Sequence, residues 1–141
     1  MCYMTKQIKG AIENRQESIT DFLRDALLIP VSKEKLSFVL LPIVNELKYE
    51  NYICGKVAEM INDSLSDYSM GIGNAEDTLR ECENRISMHY ERMIVEILSD
   101  LSTIRTESDV ARERRKIDYK VQFGYIDPDI ASLIKSFLEL K

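Results

Sequence analysis

The chain has 141 residues, of which 45% are apolar and 30% are charged. This length and composition are typical of one globular domain with a small appendage, and they exclude a disordered or collagen-like chain. The 24 acidic residues outnumber the 19 basic residues and give a net charge of -5, which argues against non-specific nucleic-acid binding by the whole surface.

No apolar run in the sequence reaches the roughly 18 residues of a membrane span. The longest run covers residues 38–44 and is interrupted by Pro42, and the first residues lack the apolar stretch of a signal peptide. The cysteines, Cys2, Cys54 and Cys82, are odd in number and widely spaced, which favours reduced thiols over a disulfide framework. We therefore expect a cytoplasmic protein with no membrane partner.

The first part of the chain has the spacing of helices. Residues 5–28 carry one apolar stripe at helical spacing, which ends before Pro30. Ser32 is placed to cap a second helix. Pro42 either kinks that helix or lies in the first turn of the next one. The helical spacing continues beyond this proline, as one helix or as two.

A glycine-containing loop at residues 67–73 precedes the strongest helical pattern in the chain. Asn74 is a natural N-cap, and apolar residues then step by three or four positions without a break. A helix over residues 74–106 would be about 50 Å long, and its wide apolar face is typical of a central bundle helix. We assign residues 1–106 to a helical bundle domain and residues 107–116 to a linker or an extension of the long helix.

An alternation of apolar and polar residues predicts one β-strand near the C-terminus. Its apolar positions are Ile117, Tyr119, Val121 and Phe123. Because no second run of this quality exists, we expect these residues to pair with another chain, either their own copy in a homodimer or the sheet of a partner. A weak strand at residues 2–4 or 29–31 is the intramolecular alternative.

A last helix follows the predicted strand. Asp127 and Pro128 supply its N-cap and its first turn, so that residues 117–141 form a small β-α appendage. The predicted fold is mainly α, with a bundle of four or five helices, a long central helix and a small C-terminal strand-helix element.

The sequence carries no catalytic or metal-binding signature. His89 is the only histidine, and Cys82, on the same helical face, lies about 10.5 Å away, too far for the pair to share a zinc ion. Ile86 stands where a di-iron bundle needs a glutamate. Cys54 and Cys82 occupy apolar helical positions, where cysteine acts as a small hydrophobic residue. We therefore predict no catalytic residue, no metal and no cofactor.

One basic cluster consists of Arg112, Arg114, Arg115 and Lys116. Contact with nucleic-acid phosphates is the functional hypothesis for these four side chains. Because acidic residues such as Glu113 interleave with them, the local net charge is small. A solvated linker is therefore the simpler interpretation.

Two stretches resemble the GINS family of replisome subunits, in the archaeal form that has a helical domain before a small β-rich domain. Residues 90–98 (YERMIVEIL) and 104–106 (IRT) are similar to the end of that family's long helix. Residues 126–135 (IDPDIASLIK) are similar to the proline-initiated helix that closes its β domain. The resemblance implies a scaffold in DNA replication that assembles with copies of itself or a paralogous subunit and bridges a helicase to other replisome proteins.

The function that the sequence favours is a non-enzymatic assembly protein. The unpaired strand and the missing catalytic signature both support protein–protein interaction, with a second copy or a paralogous subunit as the expected partner. The alternative is a small helical regulator that contacts nucleic acid through the basic cluster at residues 112–116.

Overall fold

The computed structural model of the chain describes residues 2–50, 52–71 and 73–139, and these residues form six α-helices without a strand. The helices are α1 (Cys2–Leu27), α2 (Lys33–Tyr49), α3 (Gly55–Ser69), α4 (Ala75–Ser102), α5 (Glu107–Gln122) and α6 (Pro128–Leu138). The prediction of a mainly α fold is confirmed, although the structure has more helices than the four or five predicted. No helix in these residues is long and apolar enough to cross a membrane.

The most extensive contacts between helices link α2 to α3, α3 to α4, α4 to α1, α1 to α6 and α6 to α5. Isoleucine, leucine and valine side chains from all six helices fill the common core. Helix α5 also reaches α4 through the ion pairs of Lys116 with Asp100 and of Lys120 with Glu96, whereas α2 packs mainly against α3.

Helix α4 forms largely as predicted, but it is shorter. The side-chain oxygen of Asn74 accepts a hydrogen bond from the backbone N–H of Asp77 at 2.8 Å, which satisfies one of the free donors of the first turn. The helix ends at Ser102, so the long helix does not reach residue 106. Ile72, in the predicted loop before it, lies outside the described residues.

Pro42 lies inside α2 and does not end it. Of the alternatives for this region, the structure has two helices, with α2 ending at Tyr49 and α3 beginning at Gly55. Ser32 occupies the N-cap position of α2, but its side chain makes no capping hydrogen bond.

The predicted β-strand at residues 117–123 is wrong, because these residues belong to α5 and to the turn after it. Ile117 is buried and Val121 is partly buried on one face of the helix, whereas Tyr119 and Phe123 are exposed on the opposite face. Both pairs are four residues apart, which is the spacing of neighbours on one helical face. Two such pairs interleaved on opposite faces give the same alternation as a strand.

The charged segment at residues 107–116 begins α5 and continues into the predicted strand without a break. A capping box starts the helix, in which the Thr106 hydroxyl accepts from the N–H of Asp109 and the Asp109 carboxylate accepts from the N–H of Thr106. The boundary expected between a linker and a β-α appendage at residues 116 and 117 thus falls inside one helix. Residues 140 and 141 of that appendage lie outside the described residues.

Two glycines allow the turn after α5 to touch the start of α3. Gly124 has a φ of +75°, and a Cβ atom there would lie 3.1 Å from the Cα of Gly55. The backbone N–H of Lys56 donates to the carbonyl oxygen of Gly124 at 2.8 Å. At position 124 a side chain would be strained by the positive φ and would crowd Gly55, so glycine is favoured there.

We expect Thr106→Ala to lower the free energy of unfolding by about 1 kcal/mol, because it removes the acceptor for the Asp109 N–H. Ser32→Ala is the matched control, since Ser32 occupies an N-cap without a capping bond. Urea unfolding followed by circular dichroism measures both changes. An equal loss in the two variants would contradict the capping box.

Candidate functional site

A buried carboxylate lies where the connector between α5 and α6 meets α4 and α1. Asp127 is fully buried, and its Oδ2 atom accepts a hydrogen bond from the Tyr90 hydroxyl at 2.8 Å. The same oxygen accepts from Arg15 Nη1 at 3.0 Å. Asp127 occupies the N-cap position of α6 as predicted, but its side chain makes no capping bond and is directed to these partners instead.

Arg15 connects this carboxylate to two further segments. Its guanidinium also pairs with Asp129 in the first turn of α6. The guanidinium carbon lies 4.6 Å from the centre of the Tyr52 ring, in the connector between α2 and α3. The arginine side chain is only 10% exposed, so these contacts are largely removed from water.

Cys54 and His89 complete the cluster beside Asp127. The Cys54 sulfur lies 3.8 Å from His89 Nε2. Burial and the nearby negative charge of Asp127 raise the pKa of the Cys54 thiol to about 12. Burial also lowers the pKa of His89 below its ordinary value. At neutral pH the pair is therefore a thiol beside a neutral imidazole, whereas nucleophilic catalysis by cysteine requires a thiolate.

The cluster is suited to joining elements rather than to binding an ion. Its members come from α1, the connector after α2, α4 and the connector before α6, which are far apart in the sequence. Among residues 2–50, 52–71 and 73–139, no three His, Cys, Asp or Glu side chains are placed to hold a metal ion. Asp127 Oδ1 has no hydrogen-bond partner, and burial raises the pKa of this carboxyl.

The predicted basic cluster lies on α5, where acidic partners surround most of it. Arg112 pairs with Asp109 on the same helix. Arg114 pairs with Glu139 at 2.8 Å, and Lys116 pairs with Asp100 on α4 at 2.7 Å. Arg115 is exposed on the same side of the helix as Arg112 and Lys116, while Arg114 is turned towards the end of α6. Contact with phosphate by these four residues stays a prediction.

The residues that were expected to pair as a strand do not form one surface. Ile117 is part of the core and Val121 packs against it. Tyr119 and Phe123 form an exposed aromatic pair with ring centres 4.4 Å apart. Because the backbone of α5 is hydrogen-bonded within the helix, it offers no strand edge to a partner.

The largest exposed group of apolar side chains on one helix lies on α2. This helix packs against α3 through Leu36, Leu40 and Val44. Its other faces expose six apolar residues, which we call the α2 apolar surface: Phe38, Val39, Leu41, Pro42, Ile43 and Tyr49. Phe38 is 81% exposed and Tyr49 is 88% exposed, so neither side chain contributes to the core.

The sequence contains a signal for this surface, because residues 38–44 (FVLLPIV) contain no polar side chain. Seven residues make almost two turns of a helix and point in every direction around its axis. A helix that packs on one side must then expose several of them. The sequence contains no comparable signal for the contact between Arg15 and Asp127, which lie 112 positions apart.

No protein-family model, curated protein or solved structure matches this chain.

We expect Tyr90→Phe to lower the free energy of unfolding by about 1 to 3 kcal/mol, because it removes a hydrogen bond to the buried carboxylate of Asp127. The matched control is Tyr119→Phe, which removes a hydroxyl from an exposed ring. Denaturant unfolding of the two variants at neutral pH measures the difference. A cost of the same size in both would mean that the Tyr90 hydroxyl bond does not stabilise the fold.

Stability should depend on pH through His89, the only histidine in the chain. Above pH 6.5, His89 is neutral in both the folded and the unfolded chain. As the pH falls below 6.5, the unfolded chain takes up a proton at His89 before the folded chain does. The free energy of unfolding therefore decreases. The raised pKa values of Asp127 and Glu113 act in the opposite direction, because their folded forms take up protons first.

A comparison with His89→Gln isolates the contribution of the histidine. We expect the stability of the wild type relative to this variant to decrease from pH 7.5 to pH 5.5, as measured by urea unfolding at each pH. A constant difference between the two proteins would show that His89 has the same pKa folded and unfolded.

Proposed function

We propose that this chain is a non-enzymatic assembly protein that joins a second protein subunit through the α2 apolar surface. The observation that carries the proposal is the exposure of Phe38 and Tyr49 together with four neighbouring apolar side chains on one helix. From the exposed fractions, the patch covers about 500 Å², which is at the upper end of the largest patches on monomeric proteins. Patches of this size commonly mark interaction sites.

The energetics support association through this surface. Removing about 500 Å² of apolar surface from water on one subunit contributes roughly 12 kcal/mol, before the partner's own buried surface is added. The loss of translational and rotational freedom on association costs about 4 to 15 kcal/mol. The two quantities are of similar size, so a partner with an apolar face of its own makes association favourable.

The buried cluster supports the non-enzymatic part of the proposal. The Cys54 thiol is protonated at neutral pH, and Oδ2 of Asp127 is held by Tyr90 and Arg15. A protonated thiol and a buried carboxylate held between helices are poorly suited to attack a substrate.

The finer proposal, a GINS-like subunit in DNA replication, rests on the likeness of residues 90–98, 104–106 and 126–135 to that family. Pro128 begins α6, as in the proline-initiated helix of the resemblance. The β-rich domain that the resemblance implies has no strand in the described residues before this helix. The replication role therefore depends on sequence likeness, whereas the assembly role depends on the α2 apolar surface.

Phe38→Glu tests the assembly role directly. We expect particles isolated from the native cells to be heavier than the 16.3 kDa chain, and the variant to run as the free chain in native mass spectrometry and sedimentation. Because Phe38 is 81% exposed, the substitution should change the stability of the fold by no more than about 0.5 kcal/mol.

Val95→Glu is the control, since Val95 is 68% exposed on α4, away from the α2 apolar surface. This variant should assemble like the wild type. A wild-type chain that stays at 16.3 kDa both in native extracts and when purified would overturn the proposed function, as would equal dissociation of both variants.

A further inference from the structure

We infer that the occupant of the α2 apolar surface is the same surface of a second copy, with the two α2 helices packed side by side along it. This inference rests on the proposed function and names its partner. The area supports it, because two such patches together bury about 1,000 Å², which reaches the lower limit for a specific interface.

The contact line runs along the side of α2 opposite the core. At 100° per residue, Phe38, Pro42 and Tyr49 fall within one narrow sector that faces away from Leu40. Their spacing of four and then seven residues is the repeat by which two helices meet along a seam. All three side chains are exposed, so a second helix can contact each of them.

Charged side chains border this line on both flanks. Lys35 and Glu46 lie on one flank, and Glu34 and Lys48 lie on the other. All four side chains are exposed, and none forms an ion pair within the part of the chain that the structure describes. Each flank therefore carries one positive and one negative charge that are available to a partner.

An antiparallel pair satisfies both flanks in a single register. In such a pair each flank faces the same flank of the other copy. A two-fold axis near Leu41 then sets Lys35 opposite Glu46 of the second copy and Glu34 opposite Lys48 of the second copy. The same register places Phe38 against Pro42 of the second copy, while Tyr49 lies at the level of Lys33 at the start of the second α2.

A parallel pair also satisfies the charges. In a parallel two-fold pair each flank faces the other flank of the second copy, so that Lys35 lies beside Glu34 of the second copy and Glu46 lies beside Lys48 of the second copy. The charge pattern of α2 is therefore complementary to that of a second copy in both orientations, which supports a second copy as the partner.

Charge reversal tests this register with the purified chain. Lys35→Glu places two glutamates together at two symmetric positions, and Glu46→Lys places two lysines together. We expect each single variant to raise the dimer Kd roughly ten- to thirty-fold in sedimentation equilibrium. In an antiparallel pair an equimolar mixture of the two variants restores opposite charges at both positions and should form a mixed dimer with nearly wild-type Kd, whereas in a parallel pair like charges remain at two positions and the mixture should stay weak.

The control is Lys6→Glu, which changes the net charge by the same amount at an exposed position on α1. This variant should dimerise like the wild type. A purified wild-type chain that stays monomeric at tens of micromolar overturns the inference, as does a dimer that tolerates both charge reversals. If the purified chain is monomeric but the native particle is disrupted by Phe38→Glu, the proposed function stands and only the second copy is wrong.

Discussion

The buried carboxylate of Asp127 is the interaction on which the arrangement of the helices depends. A charge removed from water is costly unless donors surround it, and Tyr90 and Arg15 supply donors from α4 and α1. If α6 moved away, Asp127 would lose both partners and the positive charge of Arg15 would remain largely buried. The cost of separating these groups therefore fixes α6, and with it α5, against the rest of the bundle.

The outward surfaces of α5 and α2 differ in polarity. The charged side chains of α5 make ion pairs with α4, as Lys116 does with Asp100 and Lys120 with Glu96. Helix α2 exposes Phe38 and apolar neighbours instead. Helix α5 also exposes the aromatic pair Tyr119 and Phe123, but α2 carries the larger group of apolar side chains whose burial from water would be favourable.

The sequence predicts individual helices well where their signals are local. The long apolar stripe of α4 and the Asn74 cap are examples, because spacing and capping act within a few residues.

The strand prediction was wrong because Ile117 and Val121 alternate with Tyr119 and Phe123 in the sequence, while the two pairs lie on opposite faces of the helix. The deciding signal lies eleven residues before Ile117, in the capping box at Thr106. The contact between Arg15 and Asp127 depends on how the helices pack, which no local pattern shows.

The α2 apolar surface and its charged flanks have different roles in the proposed assembly. Apolar burial supplies most of the free energy but does not depend on direction, so it would accept a second helix in either orientation. Exposed ion pairs contribute little each, about 0.2 to 1 kcal/mol, yet their sign depends on which charges face each other. The flanks of α2 carry charges that are complementary to those of a second copy, so they favour this partner over one with like charges at the same places. A weak but complementary set of charges thus gives specificity to a surface whose affinity comes from Phe38 and its neighbours.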